Sequence, residues 1–215
     1  MDWSVLTNIL SAIIPALLCL TIHELCHGLV ALKLGDPTAK NMGRLTLNPI
    51  KHIDPFGLLS MVIFKFGYAK PVPVDSRNFK NPKLGMAITA FAGPASNVIL
   101  SAVLLLITGL LSKPLLGTGE FGAFIFEMLI TTAYLSCALA VFNILPIPPL
   151  DGSKILFALL PDKAYYKLLR YERFGFIVLI IFIYLDVLTA FLGNATMWLF
   201  ECLYFFFDIG ILVYL

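Results

Sequence analysis

Five apolar runs, roughly residues 5–34, 84–111, 121–145, 174–192 and 195–215, set the terms for this chain of 215 residues. Each reaches or approaches the ~20 residues that a helix needs to cross ~30 Å of hydrocarbon. Continuous apolar runs of that length read as helices, which satisfy their backbone amides within the segment. The expected fold is therefore an all-α polytopic membrane protein of about five transmembrane helices. Composition agrees, with 60% hydrophobic and 13% charged residues against about 25% charged in an ordinary soluble domain. The runs leave no room for an appended soluble domain, and we read residues 1–215 as a single membrane domain, with a core over about 5–155 and additional C-terminal helices over about 174–215. The last run carries Glu201, Asp208 and Gly210, and could be re-entrant or interfacial.

Charge placement supplies topology. Nine Lys/Arg lie between Lys33 and Lys83 and five between Lys154 and Arg173, and of the 15 in the chain only Lys113 falls elsewhere. The positive-inside rule then places both basic segments in the cytoplasm and the N-terminus outside, in the cell membrane. The net charge of +2 is too small to suggest a nucleic-acid partner. Cys19, Cys26, Cys137 and Cys202 sit within apolar runs without paired spacing, which reads as buried free thiols rather than a disulfide framework. The N-terminus lacks a basic region and a small-residue cleavage site, so the first run is not expected to be a removable signal.

Between the first two long runs, "GRLTLN" at 43–48 alternates polar with apolar residues and "KPVPVD" at 70–75 carries prolines that a central strand would reject. Short, membrane-associated strands including an edge are expected there. The apolar piece at 56–66 is too short to span and is expected to lie along the membrane or dip into it.

Against this background "TIHELCHGLV" at 21–30 stands out. His23 and His27 are four apart and share one helix face, where two imidazoles can converge on one metal ion. Glu24 projects beside them, placed to act as general base on a metal-activated water. At ~1.5 Å per residue His23 lies ~27 Å from residue 5 and ~14 Å from residue 32, inside the membrane but nearer the cytoplasmic end. Unpaired, these groups would cost several kcal/mol at that depth, and a metal supplies the missing partner. Chance offers a weaker explanation, since HExxH is expected by coincidence in roughly one such chain per thousand.

A catalytic zinc takes three protein ligands and keeps one position open. Asp151 is the better candidate for the third; it lies in "FNILPIPPLDGSK" at 142–154, on the same side as the histidines, where Pro146, Pro148 and Pro149 break the helix. It could equally be a helix-end residue facing solvent. Asn97, in "FAGPASN" at 91–97, and Asn143 are amides in apolar surroundings, suited either to an interhelical hydrogen bond or to donation to a developing oxyanion. The other histidine, His52, reads as a loop hydrogen bonder.

"HELCH", "GPASN" and "NILPIPPLDG", in that order, together with "LNPIKHIDPFG" at 47–57 and "AKPVPVDSRNFKNPKLGM" at 69–86, resemble the site-2 protease family, the intramembrane zinc metalloproteases of peptidase family M50. The resemblance covers about residues 20–155. It implies one Zn2+ per chain held by His23, His27 and Asp151, with Glu24 as the catalytic acid and base. It also implies Asn97, and with it Asn143, near the substrate or transition state. The expected activity is regulated cleavage of membrane-anchored protein substrates within the lipid bilayer, with an extended substrate pairing along the strand-like loop. Many relatives carry a helix before the HExxH helix and a PDZ or CBS domain. The segment from Gly35 to Lys83 is too short for a PDZ fold, so the chain resembles a compact prokaryotic member.

Three other functions fit the sequence less well. Metal transport through the same ligands would need successive sites opening to both faces, and the outer halves of the spans offer few polar groups. A catalytically dead binding protein fits poorly with a complete ligand set plus Glu24. An integral-membrane di-iron desaturase needs many more histidines than the three present.

Overall fold

The apolar runs are helical in the computed structural model, which describes residues 3–54, 70–185 and 188–214. Helix α1 spans Trp3–Lys33 and the short α2 spans Thr38–Asn41; α3 is Pro82–Leu116, α4 Glu120–Asn143, α5 Asp151–Ala158, α6 Asp162–Tyr184 and α7 Thr189–Ile211. Among the described residues, four stretches are long and apolar enough to cross a membrane: Leu10–Lys33, Pro82–Leu116, Glu120–Asn143 and Thr189–Tyr214. This is an all-α polytopic membrane protein.

Four such stretches stand where about five were expected, and the run 174–192 includes residues outside the described ones. The run 174–192 is not one helix, because α6 ends at Tyr184 and α7 begins at Thr189. Lys163, Lys167, Arg170 and Arg173 load the first half of α6 with charge, which leaves it short of a membrane-crossing apolar length. The last run, in contrast, continues as helix through Glu201 and Asp208, both exposed. Gly210 does not interrupt it either. A Cβ there would come within 2.6 Å of the Leu106 carbonyl oxygen and the Leu110 nitrogen, so this glycine lets the α7 and α3 backbones touch, a contact that small residues make in membrane helices.

Residues 43–48 and 70–75 do not form strands; among the described residues the β-type pairing is confined to a bridge at Ile53. In the first segment side chains capture the backbone donors locally, the Asn48 N–H donating to Thr46 Oγ1 at 3.1 Å and the Ile50 N–H to Asn48 Oδ1 at 3.1 Å. Such capture diverts the chain into turns and opens a 3-10 helix at Pro49–His52. In the second, Pro71 and Pro73 have no N–H to give to a ladder. Residues 56–66 lie outside the described residues.

Contacts divide the chain into two compact units. One comprises residues 1–19, 97–142 and 182–215. Its core is Leu104, Leu105, Ala133 and Phe207, with Phe126, Phe200 and Leu203 packed around them. Buried hydroxyls there are satisfied without water, Thr108 donating to the Leu104 carbonyl at 2.6 Å and Ser112 to that of Gly109 at 2.8 Å. Ser136 of α4 donates to the Asn97 carbonyl of α3 at 2.8 Å. With small polar groups inside and Ile99, Phe121, Trp198 and Phe205 exposed, the unit is built for an apolar solvent, which gives no reward for burying leucine. Cys19 and Cys137 are buried free thiols as expected, whereas Cys202 is exposed on α7.

The second unit comprises residues 20–96 and 143–181. Here α1 closes in a glycine-dependent stop. Gly35 has φ +110°, the Asp36 N–H reaches back to the Ala31 carbonyl at 2.9 Å and the Gly35 N–H to that of Leu32 at 3.1 Å, the pairing that terminates many helices. The turn buries the Asp36 side chain completely. Burial alone would raise this carboxyl, but hydrogen bonds from Thr38, Asn78 and the Asp75 backbone outweigh it and hold Asp36 below the usual carboxylate range. On the surface nearby, hydrogen bonds from Arg77 bring Asp75 down to about 2.

Candidate metal centre

Two imidazoles from α1 and one carboxylate from α5 meet in the second unit. His23 and His27, one helical turn apart, stand with ring centroids 4.6 Å apart and planes at 90°, and their Nε2 atoms approach to 3.0 Å. The Oδ2 of Asp151 lies 3.1 Å from His23 Nε2 and 3.2 Å from His27 Nε2. All three side chains are buried. Among the described residues this is the one group of three or more His, Cys, Asp or Glu side chains whose donor atoms lie within metal-binding reach of each other, all inside 4.8 Å.

Local sequence explains each placement. The i, i+4 spacing stacks the two histidines on one face of α1. Asp151 opens α5 directly after the proline-broken stretch that contains the cis Pro148–Pro149 bond. A Cβ on the adjacent Gly152 would lie 2.5 Å from the Leu145 carbonyl oxygen and closer still to that of Ile144. A glycine is thus needed beside Asp151 for α5 to fold back against the end of the preceding segment, and Ser153 pins the turn by donating to the Leu150 carbonyl at 2.7 Å.

Two residues of α3 complete the surroundings. The Thr89 carbonyl oxygen lies 2.7 Å from His27 Nδ1, so Nδ1 carries the proton and Nε2 presents its lone pair toward His23 and Asp151, the usual outer-shell orientation of a metal-binding histidine. One turn further along, a Cβ on Gly93 would sit 2.5 Å from His23 Cε1, His27 Cε1 and His27 Nε2 alike. Both rings occupy the space that this missing side chain leaves. Neither Gly93 nor Thr89 was among the expected site residues: Gly93 contributes the absence of a side chain, and Thr89 a backbone oxygen that any residue could supply.

The other expected site residues stand as follows. Glu24, half-buried, does not join the cluster of donors; its Oε2 accepts the Val72 N–H at 2.7 Å. Asn97 is fully buried in α3, and its side-chain oxygen and nitrogen have no hydrogen-bond partner among the described residues. Asn143 is the last residue of α4 and half-buried. His52 is the loop hydrogen bonder expected, buried with Nε2 2.9 Å from the Thr46 carbonyl oxygen.

The residues fit a divalent metal. Bonds of ~2.0–2.2 Å in a tetrahedral zinc site separate the donors by roughly 3.3–3.6 Å, close to the 3.0–3.2 Å seen between these three. Two imidazole lone pairs and a carboxylate oxygen converging in a buried place repel one another unless a cation lies among them.

Helices of membrane-crossing length and a buried two-histidine, one-aspartate donor set describe a polytopic membrane protein with a metal centre. Comparison with known proteins narrows that class: the chain belongs to peptidase family M50. Residues 120–185, a stretch that includes Asp151, match that family. YwhC of Bacillus subtilis (strain 168) is 39% identical over 86% of this chain and 83% of its own length. Rip2 of Mycolicibacterium smegmatis is 30% identical over 89% of this chain and 71% of its own length. Each of the two is described as a "Putative zinc metalloprotease". Rip2 of Mycobacterium tuberculosis (strain H37Rv) is 28% identical over 86% of this chain and 71% of its own length. No solved structure matches the chain.

Proposed function

We propose that this protein is an intramembrane zinc metalloprotease, hydrolysing peptide bonds within or next to the transmembrane segments of membrane-anchored proteins. The observation that carries the reading is the convergence of His23, His27 and Asp151 on one point, with all three side chains buried. These three would hold one Zn2+ per chain. When bound, such an ion polarises a peptide carbonyl and brings the pKa of a water toward ~7. Glu24, next to His23 in sequence, takes the proton of the attacking water and returns it to the leaving amine, the two halves of general acid–base catalysis. Asn97 and Asn143 are assigned, by the family resemblance, as hydrogen-bond donors to the oxygen that gains charge in the transition state. Residues 1–215 are read as one protease domain. The Lys/Arg asymmetry supports an active site toward the cytoplasmic side of the cell membrane and an N-terminus outside.

Co-expression of the full chain with a panel of single-span membrane proteins, tagged at the C-terminus, tests this activity. A shortened tagged product, with its new end inside or beside the span, is expected with the parent chain and not with the His23→Ala/His27→Ala double variant. Products equally abundant with both chains would overturn the proposal.

A further inference from the structure

Residues 70–75, expected as an edge strand, instead form an extended strap fastened at three points. At one end the Lys70 N–H donates to the His52 carbonyl at 2.9 Å, and Arg44 Nη2 donates to the Lys70 carbonyl at 2.8 Å. At the other the Asp75 N–H donates to Asp36 Oδ2 at 2.7 Å. Between them the Val72 N–H donates to Glu24 Oε2 at 2.7 Å. Pro71 and Pro73 flank Val72, so neither neighbouring residue has an N–H to compete for that carboxylate, and their fixed φ keeps the segment extended.

The strap lies along one face of α1. Gly28, four residues after Glu24 and so on the same side of the helix, has no side chain where Val72 and Leu45 pack; a Cβ there would be 3.1 Å from Val72 Cγ1. Val72 therefore meets α1 twice, by its N–H at Glu24 and by its side chain over Gly28. Asp36 anchors the arrangement from below. Besides the Asp75 N–H it accepts the Thr38 N–H at 3.0 Å, the Thr38 hydroxyl at 2.5 Å and the Asn78 side-chain amide at 2.7 Å. A fully buried carboxylate with four donors is expensive to shift.

From this geometry we infer that the strap positions Glu24, with the Val72 backbone N–H as the group that orients its carboxylate and Asp36 as the residue that fixes the strap. The inference rests on the general-base reading of Glu24. The terminal torsion of a glutamate is broad and roughly two-fold, so an unheld carboxylate sweeps through many directions. One charge-assisted bond to Oε2 restricts that sweep and thereby sets where Oε1 points. Val72 and Asp36 are positioning residues, since they act through Glu24.

The test uses the purified full chain with a single-span protein from the panel as substrate. Val72→Pro deletes the donor, while Val72→Ala keeps it and trims only the packing. With zinc content equal to the parent's, Val72→Pro is expected to lower kcat by about 10–100-fold with KM little changed, and Val72→Ala to keep a kcat near the parent's. A second arm reads the contact without catalysis, by hydrogen exchange at the Val72 amide. Exchange is expected to speed up by about tenfold or more in Glu24→Ala and to stay slow in Glu24→Gln, whose amide oxygen still accepts. Parent-like kcat in zinc-loaded Val72→Pro, or equal Val72 exchange in the parent and Glu24→Ala, would overturn the inference. Parent-rate cleavage by Glu24→Gln strikes the general-base reading instead, and leaves the exchange arm to decide the contact.

Discussion

Glu24→Gln is expected to keep zinc at the parent stoichiometry and to lose cleavage by about 10²–10⁴-fold, the range that general acid–base catalysis contributes. The amide has the shape of the carboxylate and can still accept the Val72 N–H that engages Oε2 at 2.7 Å, so the side chain keeps its place. What it loses is the capacity to take up a proton. Since Glu24 lies outside the set of three donors, the metal is expected to survive the change. Measuring bound zinc and turnover on the same preparation separates the possibilities. Parent-level turnover would remove Glu24 from the mechanism, and loss of zinc would make it a ligand or a structural support.

Gly93→Val is expected to empty the metal centre from a position that donates nothing to it. Even the first carbon of a side chain would sit 2.5 Å from atoms of both imidazoles, well inside van der Waals contact. Neither ring has an easy way out. His27 is tied through Nδ1 to the Thr89 carbonyl at 2.7 Å, one turn back on the same helix, and His23 is held between His27 and Asp151. Turning either ring to relieve the clash breaks the convergence of the Nε2 atoms. Changes to groups that merely orient a ligand cost ~10–100-fold in metal affinity, and displacing both histidines should cost more than that. Competition with a chelator of known affinity reads the loss, and parent-like zinc retention in a folded Gly93→Val protein would show that α3 yields instead of the rings.

The metal centre was legible because its logic is local. Spacing by four puts His23 and His27 on one face, and the proline cluster before Asp151 announces a break at which a carboxylate can turn inward. The strap was not legible, for a definite reason. Alternation at 43–48 and an extended proline-rich stretch at 70–75 look like strand material. Whether such segments pair with each other depends on where their N–H groups go, and here those of Val72 and Asp75 go to carboxylates 48 and 39 residues away, Glu24 and Asp36, while that of Asn48 turns back to Thr46. Nothing in a short window reports that. The last helix shows the same limit differently: hydropathy found the apolar residues of 195–215, but the backbone contact at Gly210 decides how they pack. Gly210 read as an interruption and is instead a point of close packing between α7 and α3.

Elemental analysis of the detergent-purified chain, prepared without chelators or added metal, beside its Asp151→Ala variant, bears most directly on the convergence of two helices around a single ion. About one zinc per chain is expected in the parent, and a large loss in the variant, because Asp151 Oδ2 stands 3.1 and 3.2 Å from the two histidine nitrogens. No stoichiometric zinc in the parent, or the same zinc content in Asp151→Ala, would contradict it.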